Sequence, residues 1–314
     1  MKMLARPRSR RAPLLAAVAA PLVLAACAGT AGDSGSTKVV SSFYPLEYVA
    51  QRIAGEHADV TTLTSPGVEP HDLEMTVRQT AEISDADVVV YERGLQPAVD
   101  AAVEQHGPES VVEVTEVVEL EPADAEAHEG ESEAEHEEHA DVDGDLHFWL
   151  DPERMAEVAD EVAARMSEID AENAADYEAN LEALRSDLEE LDAEYDAGLA
   201  ECRLDTVVVS HDAFGYLEKY GLHFEPIAGL SPDAEPSPAH LTRLADLITD
   251  EGITTVFSET LASPAMAETL ARDLGLETAV LDPIEGLGDE TSEEDYLSLM
   301  RANLAALQDA NGCR

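Results

Sequence analysis

The sequence predicts an α/β protein of two similar lobes, each a parallel-type sheet flanked by helices, joined by one long rigid helix. Three observations point there. Strand-like and helical runs alternate through the first half, the same alternation returns after position 200, and an uninterrupted amphipathic repeat lies between them. In the first half, Lys38 to Ser42, Val60 to Leu63, Asp87 to Tyr91 and Val111 to Val114 read as strands. Helical patterns at Pro45 to Gly55, Val77 to Ser84 and Leu95 to Gln105 separate them. In the second half the strands are Thr206 to Ser210, Phe224 to Ile227, Ile253 to Ser258 and Thr278 to Leu281, with helices near 212–220, 238–250, 264–274 and 292–310. Strands alternating with helices argue for a parallel sheet.

The joining segment runs from Glu172 to Ala200. Its apolar residues Ala174, Tyr177, Leu181, Leu184, Leu188, Leu191, Tyr195 and Leu199 are spaced 3, 4, 3, 4, 3, 4 and 4 apart, and no Pro or Gly interrupts before Gly198. That is one face of a helix, roughly 42 Å long at the rise of an α-helix. A stiff helix between lobes implies small closing motions, because it lacks the loop positions that serve as hinges. A coiled-coil dimer is the competing use of such a stripe.

The chain opens with Lys2, Arg6, Arg8, Arg10 and Arg11 and no acid, followed by an apolar run from Ala12 to Ala26. This is the build of an export signal, and the run is short for a bilayer span. It ends at Leu24-Ala25-Ala26-Cys27, which is similar to a bacterial lipobox, so Cys27 is the expected lipidation site. An ordinary cleaved signal with an incidental cysteine is the alternative. Without this leader 13 Lys plus Arg face 68 Asp plus Glu. Such a charge repels phosphate backbones, so nucleic acid is excluded as a partner, and it attracts cations; solubility explains it equally well. Cys202 and Cys313 remain, and an exported chain usually joins two spare cysteines. Two free thiols are the other possibility.

The expected organisation is a signal peptide at 1–26, a lipid-anchored tether at 27–37, an N-terminal lobe at 38–170, the linking helix at 171–200 and a C-terminal lobe at 201–314. Within the first lobe, Glu121 to Asp145 holds 12 acidic residues, His128, His136 and His139, and no Lys or Arg. It lacks the apolar surface to fold alone and reads as a mobile acidic loop. Its histidines are candidates for a second, weaker metal site, against a merely solvated low-complexity loop.

Three other histidines sit where the chain leaves regular structure. His71 lies in the turn-rich stretch Gly67 to Glu74, His147 precedes Phe148-Trp149-Leu150-Asp151-Pro152, and His211 directly follows a strand. In open α/β sheets ligands bind at the carboxyl ends of strands, so these loops can converge on one cleft. Any one of them alone is more simply a structural hydrogen-bonding residue. Three imidazoles with an acid suit tetrahedral Zn²⁺, whereas Mg²⁺ and Ca²⁺ prefer oxygen and Mn²⁺ favours fewer nitrogens. The favoured acid is Asp282 in Leu281-Asp282-Pro283.

Pro70-His71, His147 to Pro152, Ser210-His-Asp-Ala-Phe-Gly-Tyr216 and Leu281 to Pro283, in this order, resemble the zinc-binding solute-binding proteins of bacterial metal ABC transporters, the ZnuA-type cluster A-I family. The resemblance implies a metal held between the lobes by His71, His147 and His211, with Asp282 matching an aspartate that ligates in some members and Glu69 close to where others use a glutamate near the first histidine. Glu259, after another strand, matches a family glutamate near the cleft and is expected to orient a ligand imidazole, or simply to sit at a helix start. It also implies a monomeric lipoprotein on the outer face of the cell membrane, a membrane permease as partner, and no enzymatic activity. Manganese-binding relatives carry a glutamate at the position of His211, so that histidine favours zinc. A zinc hydrolase competes, but the chain has neither an H-E-x-x-H nor a G-x-S-x-G motif. A surface adhesin is a third reading that no residue decides.

Overall fold

A computed structural model of the chain describes residues 36–122, 144–232 and 234–314. The proposed lipidation site Cys27 and the loop histidines His128, His136 and His139 lie outside them.

The N-terminal sheet contains β1 (Thr37–Ser41), β2 (Ala58–Thr62), β3 (Val88–Tyr91) and β4 (Val111–Glu113), all parallel and in the order β2-β1-β3-β4. The C-terminal sheet contains β5 (Thr206–Val209), β6 (His223–Pro226), β7 (Thr255–Ser258) and β8 (Glu277–Val280), parallel in the corresponding order β6-β5-β7-β8. Val39 pairs with both Val60 and Val88, and Val208 with both Glu225 and Val256. The inner strands β3 and β5 read Val-Val-Val-Tyr and Thr-Val-Val-Val and are buried throughout, as covering helices on both faces require.

Six helices connect or flank these strands: α1 (Tyr44–Ala54), α2 (Val77–Ser84), α3 (Pro97–His106), α4 (Pro152–Ile169), α5 (Ala174–Leu199) and α6 (Pro238–Glu251). Two more, α7 (Ala265–Leu274) and α8 (Tyr296–Asn311), complete the C-terminal half. Proline in the first turn opens α1, α3, α4 and α6, where its missing N–H is not needed. Reciprocal caps between Thr76 and Gln79 and between Asp295 and Ser298 start α2 and α8.

Alternation along the strands divides the core. Val39, Val88 and Val90, with Val207 and Val209, face one shared apolar layer with α1, α4, α5 and α8. Val40, Val89 and Tyr91 turn outward with Val99 of α3, and Val208 and Val256 turn outward with Leu244 and Ile248 of α6.

α5 packs along α4 and reaches α1 of the N-terminal lobe and α8 of the C-terminal lobe, so this one helix joins the two. The reversal between α4 and α5 is fixed by Asp170, whose carboxylate accepts from Asn173 Nδ2 at 2.7 Å and Tyr177 OH at 2.8 Å. The α5 stripe of Tyr177, Leu181, Leu184, Leu188, Leu191, Tyr195 and Leu199 is buried within the chain itself, against α1, α4 and α8. The helix expected near 212–220 is a short 3₁₀ segment, Gly215–Tyr220, ended by Gly221 at φ 88°. Cys202 and Cys313 form a disulfide that ties the end of α8 to the end of α5. Among the described residues no helix is long and apolar enough to cross a membrane.

Candidate metal centre

His71, His147, His211 and Glu285 bring one ligand atom each within 4.8 Å of the others. The C-terminal sheet supplies two of them at the carboxyl ends of its strands: His211 lies two residues beyond β5 and Glu285 lies five beyond β8. The N-terminal lobe supplies the other two from loops after β2 and β4. This is the crevice in which open α/β sheets bind ligands, built from both lobes.

Each position has a local cause. The His71 turn is anchored by Gln96, buried at the start of α3, which donates through Nε2 to Pro70 O at 3.1 Å and Thr64 Oγ1 at 2.9 Å. Gly67, at φ 80°, donates its N–H across to Leu287 O at 2.7 Å and so joins this turn to the loop of Glu285. His147 begins a 3₁₀ turn, Phe148–Leu150, whose Trp149 is fully buried edge-on to Phe43 and donates to Pro283 O at 2.6 Å. His211 is fixed from behind by Glu259, which accepts from its Nδ1 at 2.6 Å and also takes the Ser210 hydroxyl.

The donor atoms converge closely. Glu285 Oε1 lies 3.6 Å from His71 Nε2, 3.5 Å from His147 Nε2 and 3.4 Å from His211 Nε2. These are too long for good hydrogen bonds, and the Nε2 atoms of His147 and His211 and Oε1 of Glu285 are buried without a hydrogen-bond partner. A tetrahedral ion with ligand bonds of about 2.0–2.1 Å holds its ligand atoms about 3.3–3.4 Å apart. The spacing of the carboxylate oxygen from each imidazole fits that geometry, and the donor set of three imidazoles and one carboxylate fits Zn²⁺.

The charges agree with it. Burial acts to lower the His147 pKa, but the Asp145 carboxylate, accepting from Nδ1 at 2.8 Å, outweighs it with help from Glu285 and raises the value to about 9. Burial likewise opposes protonation of His211, while Glu259 and Glu285 carry its pKa well above the ordinary value. Burial would push Glu285 up, yet the three imidazoles facing it hold its carboxyl well below the usual range. Glu69 stands beside Glu285, and burial together with that neighbouring charge raises its pKa to about 9.

Of the residues singled out in the sequence, the three histidines meet and Glu259 stands behind His211. Asp282, expected as the fourth donor, lies outside the converging group. Its carboxylate accepts from Thr260 Oγ1 at 2.7 Å and Ile284 N at 2.8 Å, and Asn303 holds its backbone on both sides. Asp282 braces the loop, and Glu285 three residues on reaches the histidines. Between them Ile284 adopts φ 61°, a left-handed conformation costly for a β-branched residue, and such strain collects at functional sites. Asp145 carries no distinct signal in the sequence. It is one acid among 12 in its segment, and only its place two residues before His147 marked it.

The chain matches the family described as ZnuA, zinc-uptake complex component A, periplasmic, over residues 39–310, and it belongs to that family. It is 33% identical over 305 residues to the zinc-binding lipoprotein AdcA of Streptococcus pneumoniae (strain ATCC BAA-255 / R6), a match covering 95% of this chain and 60% of that protein. The chain thus spans about three fifths of the length of that curated relative. It is also 33% identical over 308 residues to the high-affinity zinc uptake system protein ZnuA of Bacillus subtilis (strain 168), covering 93% of this chain and 95% of that protein. Among solved structures, the Zn(II)-bound ZnuA-like domain of Streptococcus pneumoniae AdcA is similar with a TM-score of 0.72 and 32% identity, over 88% of this chain and 99% of that one. The laminin binding protein Lmb of Streptococcus agalactiae, described as having adhesin and metal transporting activity, is similar with a TM-score of 0.74 and 28% identity, over 87% and 99% of the two chains.

Proposed function

We propose that this protein captures Zn²⁺ outside the cytoplasm and passes it to the permease of an ABC transporter, held at the membrane by a lipid on Cys27. His71, His147, His211 and Glu285 are its four ligands. The observation that carries this reading is the convergence of three imidazole nitrogens on one carboxylate oxygen, buried between the lobes, with the oxygen 3.4–3.6 Å from each nitrogen. Membership of the zinc-uptake family and the likeness to a Zn(II)-bound domain support it.

Asp145 and Glu259 hold the Nδ1 atoms of His147 and His211, so the Nε2 atoms point inward, the usual arrangement behind metal-bound histidine. Four protein donors leave no open coordination position, which suits a carrier and not a catalytic zinc. Manganese is disfavoured because three of the four donors are nitrogen. The acidic charge of the surface draws cations toward the cleft. The proposed bounds of the lobes and the monomeric state follow from the same reading.

Calorimetry of the metal-free protein with Zn²⁺ and with Mn²⁺ tests it. Zinc is expected to bind more tightly than manganese, and His211→Ala to weaken zinc by at least the roughly 10- to 100-fold seen for lost supporting contacts. Tighter manganese binding, or unchanged zinc binding in H211A, would overturn it.

A further inference from the structure

Lys219 lies on the 3₁₀ segment Gly215–Tyr220 of the C-terminal lobe, eight residues after His211. Its ammonium meets three carboxylates: Asp151 Oδ1 at 2.6 Å, Asp192 Oδ1 at 2.8 Å and Glu153 Oε2 at 3.1 Å. These belong to different parts of the molecule. Asp151 ends the turn that begins at His147 and caps α4, accepting from Glu153 N at 2.9 Å. Asp192 is on α5 and also accepts from Tyr220 OH at 2.6 Å. Among the described residues Asp151, Glu153 and Asp192 are grouped closely enough to hold a metal ion, but Lys219 already supplies their cation.

One ammonium therefore ties the chain just after His147 to the chain just after His211, and ties both to the bridging helix. Asp151 is buried and Lys219 and Asp192 are each 29% exposed, so solvent screens those two arms only in part, while Glu153, at 74% exposed, is the screened outer arm. Burial lowers the Lys219 pKa, and its bonds to Asp151 and Asp192 more than restore it, so the group stays charged. Desolvation offsets much of the attraction in such a network, which is why buried ion pairs contribute little net stability and serve best to fix one arrangement over others. The clasp borders a cleft of about 320 Å³ that Asp145, the partner of His147, also lines.

We infer that Lys219 is a positioning residue for metal capture: its three-carboxylate clasp holds the His147 turn of one lobe and the His211 loop of the other at the separation the ion requires. The inference rests on the zinc-binding reading above and adds a determinant outside the ligand set. Its effect falls on how long the ion stays, because the clasp resists separation of ligands already engaged.

The test compares wild type, K219M and K219R. It uses zinc release into an excess of a chromophoric chelator and the visible absorption of the Co²⁺-substituted proteins. K219M keeps the aliphatic stem and removes the charge. It is expected to release zinc about tenfold faster, the low end of the effect for residues supporting metal ligands, and to show a weakened tetrahedral Co²⁺ band. K219R is expected to restore both, which a purely space-filling role would not require. Unchanged release and an unchanged Co²⁺ band in K219M would overturn the inference while leaving the zinc reading intact. Wild type that takes up neither metal would instead remove the reading on which it rests. If K219M does not fold, Asp192→Asn cuts one arm of the clasp and is expected to speed release by a smaller factor; unchanged release in D192N would then overturn it.

Discussion

At His147 the two ring nitrogens face different carboxylates, Asp145 at 2.8 Å on Nδ1 and Glu285 at 3.5 Å on Nε2. With its pKa raised to about 9, the metal-free residue is protonated at neutral pH, and the Nε2 proton has to leave before an ion binds. Below that pKa each proton displaced weakens zinc by about tenfold per pH unit of acidification. Calorimetry at pH 7.5 in two buffers of different ionisation enthalpy should find at least one proton released per zinc; none released would contradict it. Glu285 and Asp282 separate in the same assay. Glu285→Gln removes the anionic donor and should weaken zinc more than Asp282→Asn, which only loosens the loop; the reverse order would return Asp282 to the ligand set. Glu92, buried just beyond β3 with both oxygens unpartnered, makes a stability prediction. Burial first, then the charges of Asp145, Glu113 and Asp100, raise its pKa well above the ordinary value, so the native state holds a proton that the unfolded chain loses. Native stability therefore falls by about 1.4 kcal/mol per pH unit above roughly 4.5 until the folded pKa is reached. The isosteric Glu92→Gln should raise Tm relative to wild type, more at pH 8 than at pH 5. An equal shift at both would show that Glu92 does not carry this linkage.

The elements most legible in the sequence are those whose period repeats longest. The α5 stripe over seven apolar positions and the valine-rich central strands leave little choice of structure, and the observed ends fall within a few residues of those read from pattern. Loops carry less of a signal. Asp282 and Glu285 both follow β8, and the choice between them is made by the backbone reversal at Ile284 and by Asn303 on α8, neither of which shows a local pattern. Lys219 is hidden for a similar reason, since its three partners lie 27 to 68 residues away. The disulfide between α5 and α8 closes a loop with a separation of 111 residues. Constraint of the unfolded chain then contributes roughly 4–5 kcal/mol. Reduction should lower Tm by roughly 10 °C in a protein of this size, and thermal scans with and without reductant check it. An unchanged Tm would mean the bridge does not constrain the unfolded chain as supposed.

For the molecule as a whole, a formal net charge of −50 on 314 residues makes self-repulsion a global term. Screening shortens from about 10 Å at 0.1 M salt to about 3 Å at 1 M. Tm of the metal-free protein should therefore rise between those concentrations of NaCl, and a flat or falling response would show that local ion pairs such as the Lys219 clasp outweigh the repulsion. The two sheets share one apolar helical layer, so the cleft is bounded by packed elements, and binding should move the lobes only slightly. The zinc site is defined by the identity of the four atoms around the ion. A crystal structure of the zinc-loaded protein with anomalous data at the zinc edge examines that directly. The predicted result is a single cleft ion within about 2.0–2.2 Å of His71, His147, His211 and Glu285. An ion bound elsewhere, or one whose fourth ligand is Asp282 or water with Glu285 turned away, would contradict it.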